Sequence, residues 1–426
     1  MNILTVLSCG IEGCGITKNS IEFTDYINTF IKEHNAVCIA NSDIKRANGR
    51  SSNETYDKIH SLSFTKESDK VKQYFSESDV IIFMDLPRSK EPDEIKENFI
   101  ELLDYAKRLN KFVCHCQFNH KIHALRKFLY GDLKYINVLE KFDVIFNHSY
   151  ENDFVKRIVE PNNLKIKHLV CRGDYNIENL FGIDFLSLRN KFWKPVSEKE
   201  YKTIKFIGRS AAWKGPWKFR DFHYDYLKND GWISSAEGIE LSLGSLNQIY
   251  SELKPKKVVR NDVDLTYFSS SKSNLAKLNT NDFTLERNKS IYFMPAYIRE
   301  NGMERLSKCQ FGLELLKLDD KYCKDVIENA MFEMVAVGCI PIFRKQWAEK
   351  FIVDGKPLIE YESQCGTIFL DEDNLSSSLE LLNTLANDQQ LYDEWREKAF
   401  SFYSKYYDVR QIYKKLIEVI ETIKNC

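Results

Sequence analysis

Ile3-Leu-Thr-Val-Leu7 runs through Gly10-Ile-Glu-Gly13-Cys-Gly15 into a helical pattern from about Ser20 to His34, and Ala36 to Ala40 follows as a second apolar run. Strand, glycine turn, helix, strand is the repeating unit of a parallel sheet, because parallel neighbours need a long crossover between them. The theme returns at Val80 to Met84, Phe112 to Cys116 and Val144 to Phe146, with helical stretches between. Near-continuous apolar runs of this kind belong to strands covered on both faces, so the N-terminal half predicts an α/β sheet wrapped by helices.

The alternation pauses from about Phe181 to Lys202, a charged stretch containing Lys194-Pro195, and restarts with Thr203 to Ile207. Phe311 to Leu316 and Ile340 to Phe343 read as buried strands, Cys323 to Val337 and Leu375 to Ala386 as helices, and Leu391 to Asn425 as helical throughout. Asn261 to Asp282, rich in Ser, Asn and Lys, reads as a loop. This places one domain at 1–195, a second at 196–395, and a C-terminal helix at 396–426 that is expected to pack back on the first. The length of 426 residues agrees, since one core seldom serves so long a chain.

Composition narrows the function classes. The chain is 43% hydrophobic and 29% charged with a formal net charge of −1, so nothing global announces a polyanion partner, and any such surface must come from local clusters. No apolar run is long enough to span a bilayer, and the N-terminus reads as a first strand and not a signal peptide. Eleven cysteines, an odd count without framework spacing, point to reduced thiols.

Four constellations carry possible chemistry. The Gly10 to Gly15 turn lets a backbone approach a ligand and opens on a helix N-terminus with free N–H groups, though a tight turn alone looks the same. Ile207-Gly-Arg209-Ser-Ala-Ala-Trp-Lys214-Gly215 follows a strand-like run with two cations five residues apart. Arginine grips phosphate oxygens in a fork and lysine adds a point charge, so the pair suits a diphosphate; on its own it is equally a solvated basic pair. Glu333-Met-Val-Ala-Val-Gly338-Cys-Ile-Pro341 is a helix running through a turn into a strand. Glu333, with Glu328 five residues before it, could accept both ribose hydroxyls. Together these predict a nucleotide-sugar site in the C-terminal half and glycosyl transfer as the chemistry.

The fourth is Cys114-His115-Cys116-Gln-Phe118-Asn119-His120-Lys121. Soft ligands invite a metal, but alternation along a strand sends His115 away from both cysteines, so no metal ligand is assigned. The end of this strand presents polar groups where α/β sheets keep their ligands. Lys121, Arg126 and Lys127 beyond it, and Arg50 after the second strand, are candidate phosphate contacts for a polymeric acceptor. Asp262-Val-Asp264 and Asp371-Glu-Asp373 have a spacing that can hold a hard cation, but neither is read as following a buried strand, so both are taken as surface carboxylates.

Gly10-Ile-Glu-Gly-Cys-Gly-Ile-Thr-Lys18, Asp143-Val-Ile-Phe-Asn-His-Ser149, Ile207 to Gly215, Glu304-Arg-Leu-Ser-Lys308 and Gly338-Cys-Ile-Pro-Ile-Phe343 occur in order, and this set resembles the DNA α-glucosyltransferases of T-even bacteriophages. The resemblance runs over nearly the whole chain and is weakest from about Lys45 to Asn110 and from about Gly231 to Tyr292. It implies the two-domain α/β glycosyltransferase architecture GT-B, two Rossmann-like domains with a cleft between them. It also implies a UDP-sugar donor, no obligatory metal (a divalent cation at most stimulating), and 5-hydroxymethylcytosine in double-stranded DNA as acceptor. Anomeric configuration would be retained. By matching position, Arg209 and Lys214 would hold the diphosphate, Glu333 the ribose, and Gly13, Cys14 and Gly15 would face the sugar and the acceptor.

One departure stands out. The family pattern has a His-Asp pair after Gln117 and then another His; this chain reads Phe118-Asn119-His120. Asn119 cannot act as a general base, which leaves proton removal to His120 or a leaving-group phosphate oxygen. Phe118 places apolar bulk where a polar contact stood, which favours a smaller donor such as UDP-arabinose over UDP-glucose. The expected protein is a monomer acting in the cytoplasm of an infected bacterial host, without a membrane partner. Two competing readings share the same motifs: a retaining transferase with a lipid or glycan acceptor, and a DNA-binding relative that has lost its chemistry.

Overall fold

The computed structural model describes residues 1–10, 15–44, 58–117, 128–148, 154–180, 182–207, 219, 222–239, 263–264, 291–295, 299–314 and 329–426. The chain divides into two compact units: Met1–Gly182 joined by Tyr407–Cys426, and Ile183–Tyr406.

Unit 1 is built on β1 (Asn2–Leu7), α1 (Gly15–Phe30), β2 (Asn35–Asn41), β3 (Ile59–Leu62), α2 (Ser68–Glu77), β4 (Val80–Phe83), α3 (Asp93–Arg108), β5 (Phe112–Gln117), β6 (Val144–Asn147) and β7 (His168–Cys171). Its strands pair in parallel in the order β3-β2-β1-β4-β5-β6-β7. Alternation sorts the side chains into two cores. Ile3 and Leu7 of β1 join Phe23, Ile27, Cys114 and Cys116 on one face, while Leu4 and Val6 join Phe75, Phe83, Phe99 and Phe142 on the other. The apolar runs of the sequence are therefore the interior strands. β3 and β7 lie at the edges, with burial patterns half open to solvent and polar residues such as His60 and Ser61, and they carry no such signature.

Unit 2 opens with α4 (Phe185–Phe192) and continues through β8 (Thr203–Ile207), β9 (Ile233–Ile239), β10 (Val263–Asp264), β11 (Ile291–Pro295), α5 (Arg299–Lys308), β12 (Phe311–Glu314), α6 (Asn329–Ala336), β13 (Ile340–Arg344), the short hairpin β14 (Ile352–Val353) and β15 (Lys356–Pro357), β16 (Ile368–Leu370), α7 (Leu375–Asn387) and α8 (Gln389–Tyr407). Its strands are again parallel, ordered β10-β11-β9-β8-β12-β13-β16. In both sheets the order reverses beside the unit's first strand: between β1 and β4 in unit 1, and between β8 and β12 in unit 2.

Four sequence expectations are corrected here. The first crossing between units falls at Gly182–Ile183 and not at 195, because α4 belongs to the second core. Phe185 packs on Phe400 with ring centres 5.8 Å apart, and Arg189 forks onto Glu397 at 2.7 and 2.6 Å. The final helical stretch is two helices, α8 and α9 (Val409–Lys424), broken at Asp408. Asp408 is extended (ψ 129°) and its carboxylate accepts from the Arg410 N–H at 2.9 Å, a side-chain cap that starts α9 afresh. Only 407–426, and not 396–426, returns to unit 1. Asp371-Glu-Asp373 does follow a buried strand, β16; its Asp371 is paired with Lys345 at 2.7 Å and Glu372 with Arg344 at 2.6 Å. Of the loop read at Asn261 to Asp282, only Val263–Asp264 is described, and it forms β10.

Gly182 shows how tightly the returning chain fits. A Cβ there would lie 2.2 Å from the Tyr407 carbonyl oxygen and 2.8 Å from Ile412 Cδ1. Gly182→Ala is expected to destabilise the protein by roughly 1–3 kcal/mol, because backbone on one side cannot yield. Chemical denaturation of the two proteins side by side checks this.

Candidate active site

Ligands of doubly wound sheets bind outside the carboxyl ends of the strands where the order reverses. In unit 1 that place is the end of β1, where the chain turns at Gly10. Its φ is +77°, and a Cβ would sit 2.7 Å from the Asn41 carbonyl oxygen, so the turn requires glycine. Cys9 N–H donates to Asp85 Oδ1 at 3.0 Å and Cys9 Sγ–H to the Leu86 carbonyl at 2.8 Å, tying the ends of β1 and β4 together across the reversal. Gly15 is the first residue of α1; Gly13 and Cys14 lie outside the described residues.

The end of β5 carries a buried polar chain. Cys114 and Cys116 enter the α1 side of the sheet, and His115 and Gln117 the other, as the pleat demands. His115 Nδ1 is 3.1 Å from the Phe83 carbonyl, and its Nε2 is 3.1 Å from Gln117 Oε1, which also accepts from Tyr130 OH at 2.9 Å. Both neighbours of the ring are acceptors and a neutral ring can donate to only one. Burial nevertheless pulls the His115 pKa down from 6.5 to about 4, against the pull of both acceptors. The unfolded chain thus takes up this proton below pH 6.5 while the folded one refuses it until about pH 4. Stability is complete above pH 6.5 and falls as pH drops through that interval, by up to about 3 kcal/mol from this group. Denaturation midpoints measured from pH 7 to 4 should fall less steeply in His115→Gln than in wild type; identical slopes would remove His115 as the cause. Phe118, Asn119, His120, Lys121, Arg126 and Lys127, which follow β5 in the sequence, lie outside the described residues, as does Arg50.

The neighbouring strand ends continue the polar edge. His148 N–H donates to the Gln117 carbonyl at 3.1 Å, and Arg172 N–H to the Asn147 carbonyl at 3.1 Å. Asn147, His148 and Arg172 are all buried. Asn147 and His148 stand in one of the motifs that carry the family resemblance, but their burial at a carboxyl edge, and that of Arg172, was not legible in sequence.

In unit 2 the reversal point is the end of β8, from which the chain leaves into 208–218, so Arg209 and Lys214 lie outside the described residues, with Glu328. Glu333 is described: it is half-buried on α6. That helix is pressed onto β12, where a Cβ on Gly312 would meet Met334 Sδ at 2.7 Å. α6 ends at Gly338 (φ +86°), with Cys339 N–H donating back to the Met334 carbonyl at 2.9 Å, a left-handed glycine cap that turns the chain into β13. Under this turn the buried Lys199 ammonium donates to the carbonyls of Val337 (3.2 Å) and Cys309 (3.1 Å) at the ends of α6 and α5, and burial brings its pKa down to about 8. Glu314 and Arg344, both buried, close β12 and β13 at the carboxyl edge. The sequence reading missed both, because each ends an otherwise apolar run.

The structure therefore places Gly15 and Glu333 on helices packed against the two sheets and describes no other predicted site residue; what it adds is that both glycine-containing motifs follow the first strand of a sheet, at its reversal point. A family model described as DNA alpha-glucosyltransferase matches residues 14–390. The DNA alpha-glucosyltransferase of Enterobacteria phage T4 is 30% identical over 427 residues, covering 99% of this chain and all (100%) of that protein. An alpha-glucosyltransferase solved in complex with UDP-glucose and DNA containing an abasic site superposes with a TM-score of 0.81 at 28% identity over 99% of both chains. Another, with UDP and a 13-mer DNA containing a HMU base, gives 0.79 at 28% identity, again over 99% of both. The two doubly wound sheets are those of the GT-B architecture. With a family model matching most of its length and a relative this similar from end to end, the chain belongs to the DNA α-glucosyltransferase family.

Proposed function

We propose that this glycosyltransferase moves a glucosyl or arabinosyl group from a UDP-sugar to the hydroxymethyl group of 5-hydroxymethylcytosine in double-stranded DNA, with retention of configuration. The observation that carries the reading is the departure of 208–215 from β8 at the reversal point of unit 2, in a chain of this family. Arg209 and Lys214 stabilise the diphosphate as it gains charge, Glu333 and Glu328 hold the ribose, and the Gly13 to Gly15 turn meets the sugar. The acceptor hydroxyl attacks on the face from which UDP leaves, and its proton passes to a phosphate oxygen or to His120, since Asn119 cannot take it. Lys121, Arg126, Lys127 and Arg50 contact the DNA backbone. The enzyme works as a monomer in the cytoplasm of the infected host and shields the phage genome from nucleases. Support for the DNA acceptor is the T4 relative's activity and the DNA in the solved relatives.

Pentose transfer is favoured by Phe118, which replaces a polar neighbour of the sugar with apolar bulk. The test incubates the protein with hydroxymethylcytosine DNA and either UDP-glucose or UDP-arabinose, then weighs the released nucleosides. A pentose shift supports a changed donor; a hexose shift makes this a glucosyltransferase. Equal use of both donors by wild type and by Phe118→His would sink the role given to Phe118.

A further inference from the structure

We infer that Asn19 binds the hydrogen-bonding edge of the target base; the inference rests on the proposed DNA acceptor. Asn19 lies in α1, a sixteen-residue helix that begins at Gly15 and has no acidic residue in its first turn. It is fully buried (0% exposed), yet neither its Nδ2 nor its Oδ1 meets a hydrogen-bond partner among the described residues. Ser20, Thr24 and Asn28 on the same helix are satisfied. Ser20 Oγ–H donates to the Ile16 carbonyl at 2.9 Å, Thr24 Oγ1–H to the Ser20 carbonyl at 2.8 Å, and Asn28 exchanges two bonds of 2.8 Å with the Ala36 backbone. Even the Asn19 carbonyl accepts from Tyr413 OH, at 3.4 Å. Ser8 Oγ, just beyond β1, is likewise buried without a partner among the described residues.

Helical side chains lean towards the N-terminus, and Asn19 stands one turn after Gly15, so its amide is aimed at the start of α1 and the reversal point. A buried amide with nothing to bind opposes folding, and its persistence is explained where a ligand completes it. The group is neutral, planar and carries a donor beside an acceptor. A phosphate asks for cations, whereas a base edge offers a donor beside an acceptor in one plane, which an amide meets with two bonds. An enzyme that modifies a base draws it out of the stack and reads it on that edge.

Asn19→Leu tests this, being close in volume and free of polar atoms. The expected result is a fall of roughly 10- to 100-fold in kcat/KM for hydroxymethylcytosine DNA, from two lost base contacts. The affinity for UDP-glucose, measured by calorimetric titration, should stay within about twofold, and melting should occur at or above the wild-type temperature because two unmatched polar atoms are gone. Unchanged transfer would overturn the inference. So would a parallel loss of UDP-glucose affinity, which would assign the amide to the donor sugar, or failure of the variant to fold, which would make the amide structural. If wild type modifies no DNA at all, the proposed function falls and takes this inference with it.

Discussion

Arg209→Met is expected to lower kcat for DNA glycosylation by roughly 100- to 1000-fold, the loss typical when a preorganised group that stabilises developing charge is removed. Ile207, the last residue of β8, sits at the reversal point of unit 2, two positions before Arg209. As the sugar leaves, the β-phosphate of UDP gains charge, and a guanidinium can meet two of its oxygens at once. That interaction is stronger in the transition state than in the bound donor, so kcat should fall more than KM rises. Lys214→Met removes a point charge without the fork and should have the smaller effect. Initial rates by mass analysis of nucleosides decide the matter. Rates within about threefold of wild type for Arg209→Met would move the diphosphate contact elsewhere.

A chain ending at Tyr407 is expected to lose the folded state of unit 1 altogether. α9 buries Val409, Ile412, Tyr413, Leu416, Ile417, Val419, Ile420 and Ile423 in the core shared with α1 and β1. At roughly 1.5–3 kcal/mol for each buried side chain, the loss exceeds about 12 kcal/mol, the scale of the whole stability of a domain. Specific contacts go with it, including the edge-to-face packing of Tyr413 on Phe23 at 5.1 Å and the His34–Glu421 contact at 2.9 Å. The truncated protein should be insoluble or bind a hydrophobic dye strongly. A soluble truncation with two cooperative unfolding transitions would show that unit 1 stands without α9. The truncation also bears on the inferred base contact, since Tyr413 OH of α9 donates to the Asn19 backbone carbonyl.

By itself the sequence determined the class of the fold and its interior strands. β1, β2, β4, β5 and β6 are covered on both faces, so burial writes them into the chain as apolar runs, and Gly10 marks a turn that only glycine can make. Motif order was enough to place the chain in its family. The edge strands β3 and β7 were not legible, because one open face dilutes the pattern. Nor was the break at Asp408, whose carboxylate could have sat on the polar face of a continuous helix and instead caps a new one. Tertiary structure alone decided that α4 joins the second core, that His115 shares its buried chain with Phe83, Gln117 and Tyr130, and that the Asn19 side-chain amide is sealed without a partner among the described residues. Periodicity is a local property of the chain, and polarity belongs to single residues. Whether a buried polar group is satisfied depends on which distant segments the fold brings against it, and no local pattern encodes that.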